Sequence, residues 1–210
     1  MFVFGRFLYY GKSFVGGADG LSQVAPTMQY TGQYYRALLK NILQGNLQIP
    51  MWDMSIGFGM NILQVISFDP VYILCSVLFV HDIAVGIAIF DMLCLYLAGI
   101  MFIALCYNLG CNRYAALAAA LAYIFNGYIL NYCMAQNSFL RLFIVLPMIL
   151  LGVYNVTKKN RYGIFVLAVL YNITLGPLNI YTIGIVLIFC FCMAYIFSDR
   201  KKGVADFSRI

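Results

Sequence analysis

The sequence contains no glutamate, one histidine (His81) and one tryptophan (Trp52) in 210 residues. Charge of either sign is scarce: charged residues make up 10% of the chain and hydrophobic residues 64%, with a mean hydropathy of +0.89. That balance excludes an ordinary soluble domain and fits an all-α polytopic membrane protein. Metal-binding spacings are missing too. The seven cysteines (Cys75, Cys94, Cys106, Cys111, Cys133, Cys190 and Cys192) show no CxxC or Cys/His zinc pattern, and lie mostly in apolar runs as small packing residues. Cys190 and Cys192 stand two apart, so on a helix they do not face the same way. Gly57 and Gly59 belong to no GxGxxG and follow no strand, which excludes a nucleotide fingerprint. The opening MFVFGRFLYY is too short to span and carries no small-residue cleavage site, so it is not a signal peptide. It reads as the remnant of a first transmembrane helix over 1–10. No metal and no cofactor are expected.

What is present is a set of apolar runs with basic residues between them. Thirteen Lys and Arg oppose seven Asp, a formal net charge of +6. Their placement reads as topology and not as nucleic-acid binding. Five spans are expected over 83–107, 114–132, 139–156, 162–177 and 179–197. Arg113 follows the first, Lys158, Lys159 and Arg161 the third, and Arg200, Lys201 and Lys202 the fifth. The intervening connections, 131–138 and 176–179, carry no charge. The positive-inside rule therefore puts the basic connections and the tail 198–210 in the cytoplasm, and the polar stretch 11–82 outside as a first extracytoplasmic loop. Within that loop, apolar residues at helical spacing predict an interfacial helix over 29–45 closed by Gly45, and a second over 70–80 opened by Pro70.

The loop holds the candidate chemistry: Asp19 in GGADG, Trp52 and Asp53 in PMWDMSIGFG, and Asp69 in FDP. Asp19 has two readings, a solvent-exposed turn residue or a carboxylate within reach of a reacting hydroxyl. Trp52 is suited to stack on a sugar ring while Asp53 bonds a hydroxyl, or to anchor the loop among headgroups. Asp69 before Pro70 reads first as a helix cap, and His81 with Asp82 as a solvated turn. Asp91 and Arg141 fall inside or near the membrane, where an unpaired charge is costly. They can form a pair in which Arg141 contacts a phosphate and Asp91 orients it; the alternative has Arg141 reaching to the surface and Asp91 facing the bundle.

The succession GGADGLSQ, QYYRALLKNILQGN, IPMWDMSIGFGMN and SFDPVYIL, followed by AALAAALAYIFNGYILNY, LPMILLGVYNVTKKNRY and NIYTIGIVLI, resembles the YfhO-type bacterial membrane proteins over most of the chain. Members are usually several times longer, so the resemblance is to an N-terminal part. That family is similar to GT-C membrane glycosyltransferases, which transfer a sugar from a polyprenyl-phosphate carrier outside the membrane. The resemblance implies a GT-C-like helical bundle, Asp19 as the early acidic residue that serves as base, a polyprenyl-phosphate sugar donor among membrane lipids, and a cell-envelope polymer acceptor such as a teichoic acid. It places the chain in the bacterial cytoplasmic membrane as a multi-pass protein. One departure stands out: the second external loop offers only Asn131, Gln136 and Asn137 where many such enzymes carry another acid. A lipid or polymer transporter and a non-catalytic scaffold or inactive fragment are the other classes; the first needs repeated halves, and the second predicts that Asp19 is replaceable.

Overall fold

The computed structural model describes residues 9–10, 15–17, 19–46, 48–174, 184–185 and 188–189. Most of the expected fifth span, nearly all of the expected N-terminal remnant, the tail 198–210, and Cys190 and Cys192 lie outside the described residues. Within them the chain is an all-α membrane protein whose only strands, among the described residues, are a two-residue pair.

A wide helical turn, Gly20–Val24, runs into α1 (Ala25–Leu43). This helix starts ahead of the expected 29–45 because Pro26 sits in its first turn, where a missing N–H costs nothing. It ends in a Schellman closure: the Gly45 N–H donates to the Ile42 carbonyl at 3.0 Å and the Asn46 N–H to the Asn41 carbonyl at 2.9 Å. Gly45 adopts φ +77, where a side chain would strain the backbone. A hairpin follows, with β1 (Trp52–Asp53) antiparallel to β2 (Met60–Asn61) and Trp52 opposite Asn61. Then comes α2 (Pro70–Leu78), which packs on α1. Gly32 permits that approach, since a Cβ there would lie 2.2 Å from the Ser76 carbonyl oxygen.

Among the described residues, two helical stretches are long and apolar enough to cross a membrane: α3 (Ile83–Asn108), and the run 137–159 comprising α5 (Asn137–Leu140) and α6 (Leu142–Lys159). Between them α4 (Arg113–Ile124) begins at the Asn112 cap, whose Oδ1 accepts the Ala115 N–H at 2.8 Å. The sequence suggests one helix over 114–132. The chain instead breaks at Phe125 and resumes as a wide turn, Ile129–Cys133, because the Asn126 side chain bonds the backbone on both sides of the break. Its Oδ1 accepts the Ile129 N–H at 3.0 Å while its Nδ2 donates to the Tyr123 carbonyl at 2.7 Å. Pro147, inside α6, cannot donate to the Phe143 carbonyl, and the Tyr123 hydroxyl donates to that carbonyl at 3.0 Å.

α3 and α6 run the same way. Ile87 and Phe90 of α3 share a core cluster with Leu140 and Ile144, and at the other end Lys159 donates to Asn108. The basic residues of two connections, Arg113 and Lys158, Lys159 and Arg161, therefore gather at one end of the helix pair. α7 (Gly163–Thr174) packs on α6 through Val145, Ile149, Val153 and Ala168. Gly152 permits a close approach, since a Cβ there would lie 2.7 Å from the Phe165 Cα.

Candidate functional site

At the end of the bundle away from those basic residues, the turn before α2 meets the start of α6. Asp69 is fully buried. Its Oδ1 caps α2, accepting the Val71 N–H at 2.8 Å and the Tyr72 N–H at 3.3 Å. Its Oδ2 accepts the Tyr171 hydroxyl of α7 at 3.1 Å and lies 3.6 Å from Nη1 of Arg141. The same Nη1 donates to Ser67 Oγ at 3.2 Å, and Ser67 Oγ also accepts the Asp69 N–H at 3.2 Å. The guanidinium carbon stands 5.6 Å from the centre of the Tyr72 ring. Burial pushes the Tyr72 phenol well above its ordinary value, so it stays neutral beside Arg141.

This arrangement corrects the expected pairing, because Arg141 is matched by Asp69 and not by Asp91. Nor does Arg141 reach the surface: it is 4% exposed. The physical reason is that the Ser67–Asp69 turn folds back over the N-terminal end of α6, which brings a counter-charge and a hydroxyl to the guanidinium. Asp91, on α3, is also fully buried, and both its carboxylate oxygens lack a hydrogen-bond partner. Asn137 is close enough for its amide to act on that carboxyl, yet its Nδ2 makes no hydrogen bond. The two form an incomplete polar pair within the core.

Beside Arg141 lies a cavity of about 170 Å³. Its wall is rich in neutral hydrogen-bonding groups: Gln23 from the wide turn before α1 and Thr27 from the start of α1, Gln64 and Ser67 from the segment before α2, and Gln136, Asn137 and Ser138 from the residue before α5 and its first two residues. Arg141 is the one cation lining it among the described residues. Arg141 Nε, like Asn137 Nδ2, is a buried donor without a partner.

Asp19 sits at the rim, exposed, with its Oδ1 accepting a 3.1 Å hydrogen bond from Nε2 of the cavity residue Gln23. Of the glycines near it, Gly16 serves close packing: a Cβ there would lie 2.8 Å from the Cα of Ala135, in the segment before α5. Asp19, Arg141 and Asn137 are thus brought to one locality. Trp52 and Asp53 do not line the cavity. Trp52 is 60% exposed on the hairpin, its indole N–H directed to Met54 Sδ. Asp53 is engaged internally: Oδ2 accepts the Tyr30 hydroxyl at 2.8 Å, and Oδ1 accepts the Ser55 N–H and hydroxyl at 2.8 and 2.7 Å. The Ser55 hydrogen bonds, and then that from Tyr30, hold the Asp53 carboxyl below its ordinary range. Burial, followed by the bond to Asp53, pushes Tyr30 up to about 12.

Sequence reasoning missed Ser67, Tyr171 and the ion-pair role of Asp69. The FDP signal revealed the cap, but nothing local revealed its partners on α6 and α7. Among the described residues no three His, Cys, Asp or Glu side chains converge as a metal-holding group. A sequence model of the family described as bacterial membrane protein YfhO matches residues 1–210. No curated protein and no solved structure matches the chain.

Proposed function

We propose, from the premise that the chain belongs to the YfhO family of bacterial membrane proteins, that it acts in a membrane glycosyltransferase reaction. The donor is a polyprenyl-phosphate-linked sugar, and the acceptor is a hydroxyl of an extracytoplasmic cell-envelope polymer such as a teichoic acid. On this reading the first loop faces outward, and the clustering of Arg113 with Lys158, Lys159 and Arg161 at the opposite end supports that orientation. Asp19 removes the acceptor proton as the hydroxyl oxygen bonds to the anomeric carbon. The anomeric bond to the phosphate oxygen breaks, its electron pair stays on the phosphate, and the proton passes from Asp19 to solvent.

One observation carries the reading. A cavity rich in hydrogen-bonding groups is lined by the Arg141 guanidinium, and an exposed carboxylate is bonded to its rim residue Gln23. Arg141 contacts the donor phosphate, and the orienting part first given to Asp91 falls to Asp69, the group that holds Arg141 in place. Asp53 ties the hairpin to α1, leaving the exposed Trp52 indole as the hairpin's surface for an acceptor sugar or for lipid headgroups.

The test is envelope-polymer glycosylation in a deletion strain complemented with the wild-type gene or with Asp19→Asn, with membrane insertion of both checked. Wild type is expected to restore glycosylation, and Asp19→Asn to lower turnover by roughly 10²–10⁴-fold. Equal restoration by the two would remove Asp19 from the mechanism.

A further inference from the structure

The cavity's charge balance differs from that of an ordinary phosphate site. A pocket built to hold a phosphate dianion gathers several cations, or a cation with a helix N-terminus. Here one guanidinium lines the wall, and a buried carboxylate already stands 3.6 Å from it. A second carboxyl, Asp91, is fully buried on α3 and acts on the same Tyr72 that Arg141 faces. Counting the Asp69–Arg141 ion pair as neutral, the buried set carries zero charge if Asp91 is protonated and −1 if it is not, and is positive in neither case. Yet the rest of the wall is made of neutral hydrogen-bonding side chains, among them Gln23, Gln64 and Gln136. Hydrogen-bonding groups around a cation suit an acceptor-rich group, while a compensated cation argues against bringing in much negative charge.

We infer that the cavity selects its ligand by charge, admitting a phosphodiester monoanion and disfavouring a phosphomonoester dianion, with the Arg141 guanidinium as its one lining cation and Asp69 as the residue that sets the limit. The inference rests on the donor site proposed above and adds a direction to it. A sugar–phosphate–lipid is a diester with one negative charge, whereas the lipid phosphate left after transfer is a monoester carrying about −1.5 to −2 at pH 7. The same site that admits the donor therefore repels the spent carrier. Asp69 is a positioning residue in this scheme, since it acts through Arg141.

The experiment measures binding to the full chain in phosphatidylcholine nanodiscs, with methyl farnesyl phosphate as the diester and farnesyl phosphate as the monoester, at pH 7.5 and pH 5.0. The groups around the guanidinium are Asp69, Tyr72 of α2, Asp91 and Cys94 of α3, and Tyr171 of α7. Thiols and phenols ordinarily titrate above this range, and the diester, which has no proton to gain here, reports any contribution from the aspartates. The expected result is a roughly tenfold tighter diester at pH 7.5, with unchanged diester affinity at pH 5.0 and a narrowed gap as the monoester takes up its second proton. Asp69→Asn, which keeps a capping oxygen, is expected to raise monoester affinity and close the gap, and Arg141→Gln to weaken both ligands. Equal affinities at pH 7.5 overturn the charge inference and leave the donor site standing. Parallel pH shifts of both ligands overturn it as well, because the protein and not the ligand would then be titrating. Binding of neither lipid overturns both readings. Displacement of the diester by an equal mole fraction of phosphatidylglycerol, with discrimination against the monoester kept, supports the charge inference while assigning the site to ambient lipid and overturning the donor reading.

Discussion

Two aspartates ahead of α3, Asp53 and Asp69, each accept hydrogen bonds from a tyrosine hydroxyl and from at least one backbone N–H near in sequence. Their surroundings differ. Asp53 sits on an exposed hairpin whose tip carries Gly57, Phe58 and Gly59 at positive φ, with the Phe58 side chain fully in solvent. Asp69 is sealed between α2, α6 and α7 with a guanidinium beside it. The comparison teaches that burial, more than the number of hydrogen bonds, decides what an aspartate does. In water the Asp53 contacts are weak and tunable by pH, whereas in the core the Asp69 contacts cannot be given up singly, because each partner would be left unpaired.

The sharpest way to break this contrast is Asp69→Ala. It removes a helix cap, strands the buried Arg141 charge and leaves the Tyr171 hydroxyl without its acceptor, for an expected loss of about 3–5 kcal/mol. Thermal unfolding in detergent should show a large fall in melting temperature. A variant that melts like wild type would mean that the loop does not seal the bundle. Gly32→Ala probes the same seal from α1, since its Cβ would meet the Ser76 carbonyl at 2.2 Å. Forcing α1 off α2 is expected to cost roughly 1–3 kcal/mol. Unchanged stability would show that the two helices part without consequence.

The smallest effect belongs to Tyr30→Phe, and pH sharpens it. Tyr30 is raised to about 12, so its stabilisation is present below the ordinary value of about 10 and lost as pH rises through about 12. Asp53 is lowered, so its contribution is present above about pH 4 and lost as pH falls through the lower folded value. Trp52, the only tryptophan, reports on the hairpin. Its fluorescence should stay flat between these limits and change beyond each. Tyr30→Phe should abolish the alkaline change and leave the melting temperature almost unaltered, and an alkaline change that persists would place the titrating group elsewhere.

The same contrast explains what was legible in the sequence. Residues that act on neighbours could be read: Asp69 before Pro70 marks a helix start, and the long apolar run after Asp82 marks α3. The break at Asn126 was hidden, because apolar periodicity continues on both sides and one amide does the interrupting. Asp91 and Arg141 looked like natural partners, as both are charges in apolar surroundings. The turn at Ser67 supplied a better partner that no local pattern announces. The cavity escaped notice for a similar reason, since Gln23, Gln64 and Gln136 are unremarkable one by one and acquire meaning only through convergence.

The Tyr123 hydroxyl that serves the Phe143 carbonyl carries a mechanical consequence. The ring of Tyr123 lies flat on Phe102 of α3, centroids 4.3 Å apart, so the missing rung of α6 is replaced by a strut rooted in two other helices. A proline gap commonly makes a helix free to bend. This one is braced from outside, so α6 flexes at Pro147 only if α4 moves with it or the strut lets go, and a bend made with the strut intact is transmitted to α4 as a displacement of Tyr123.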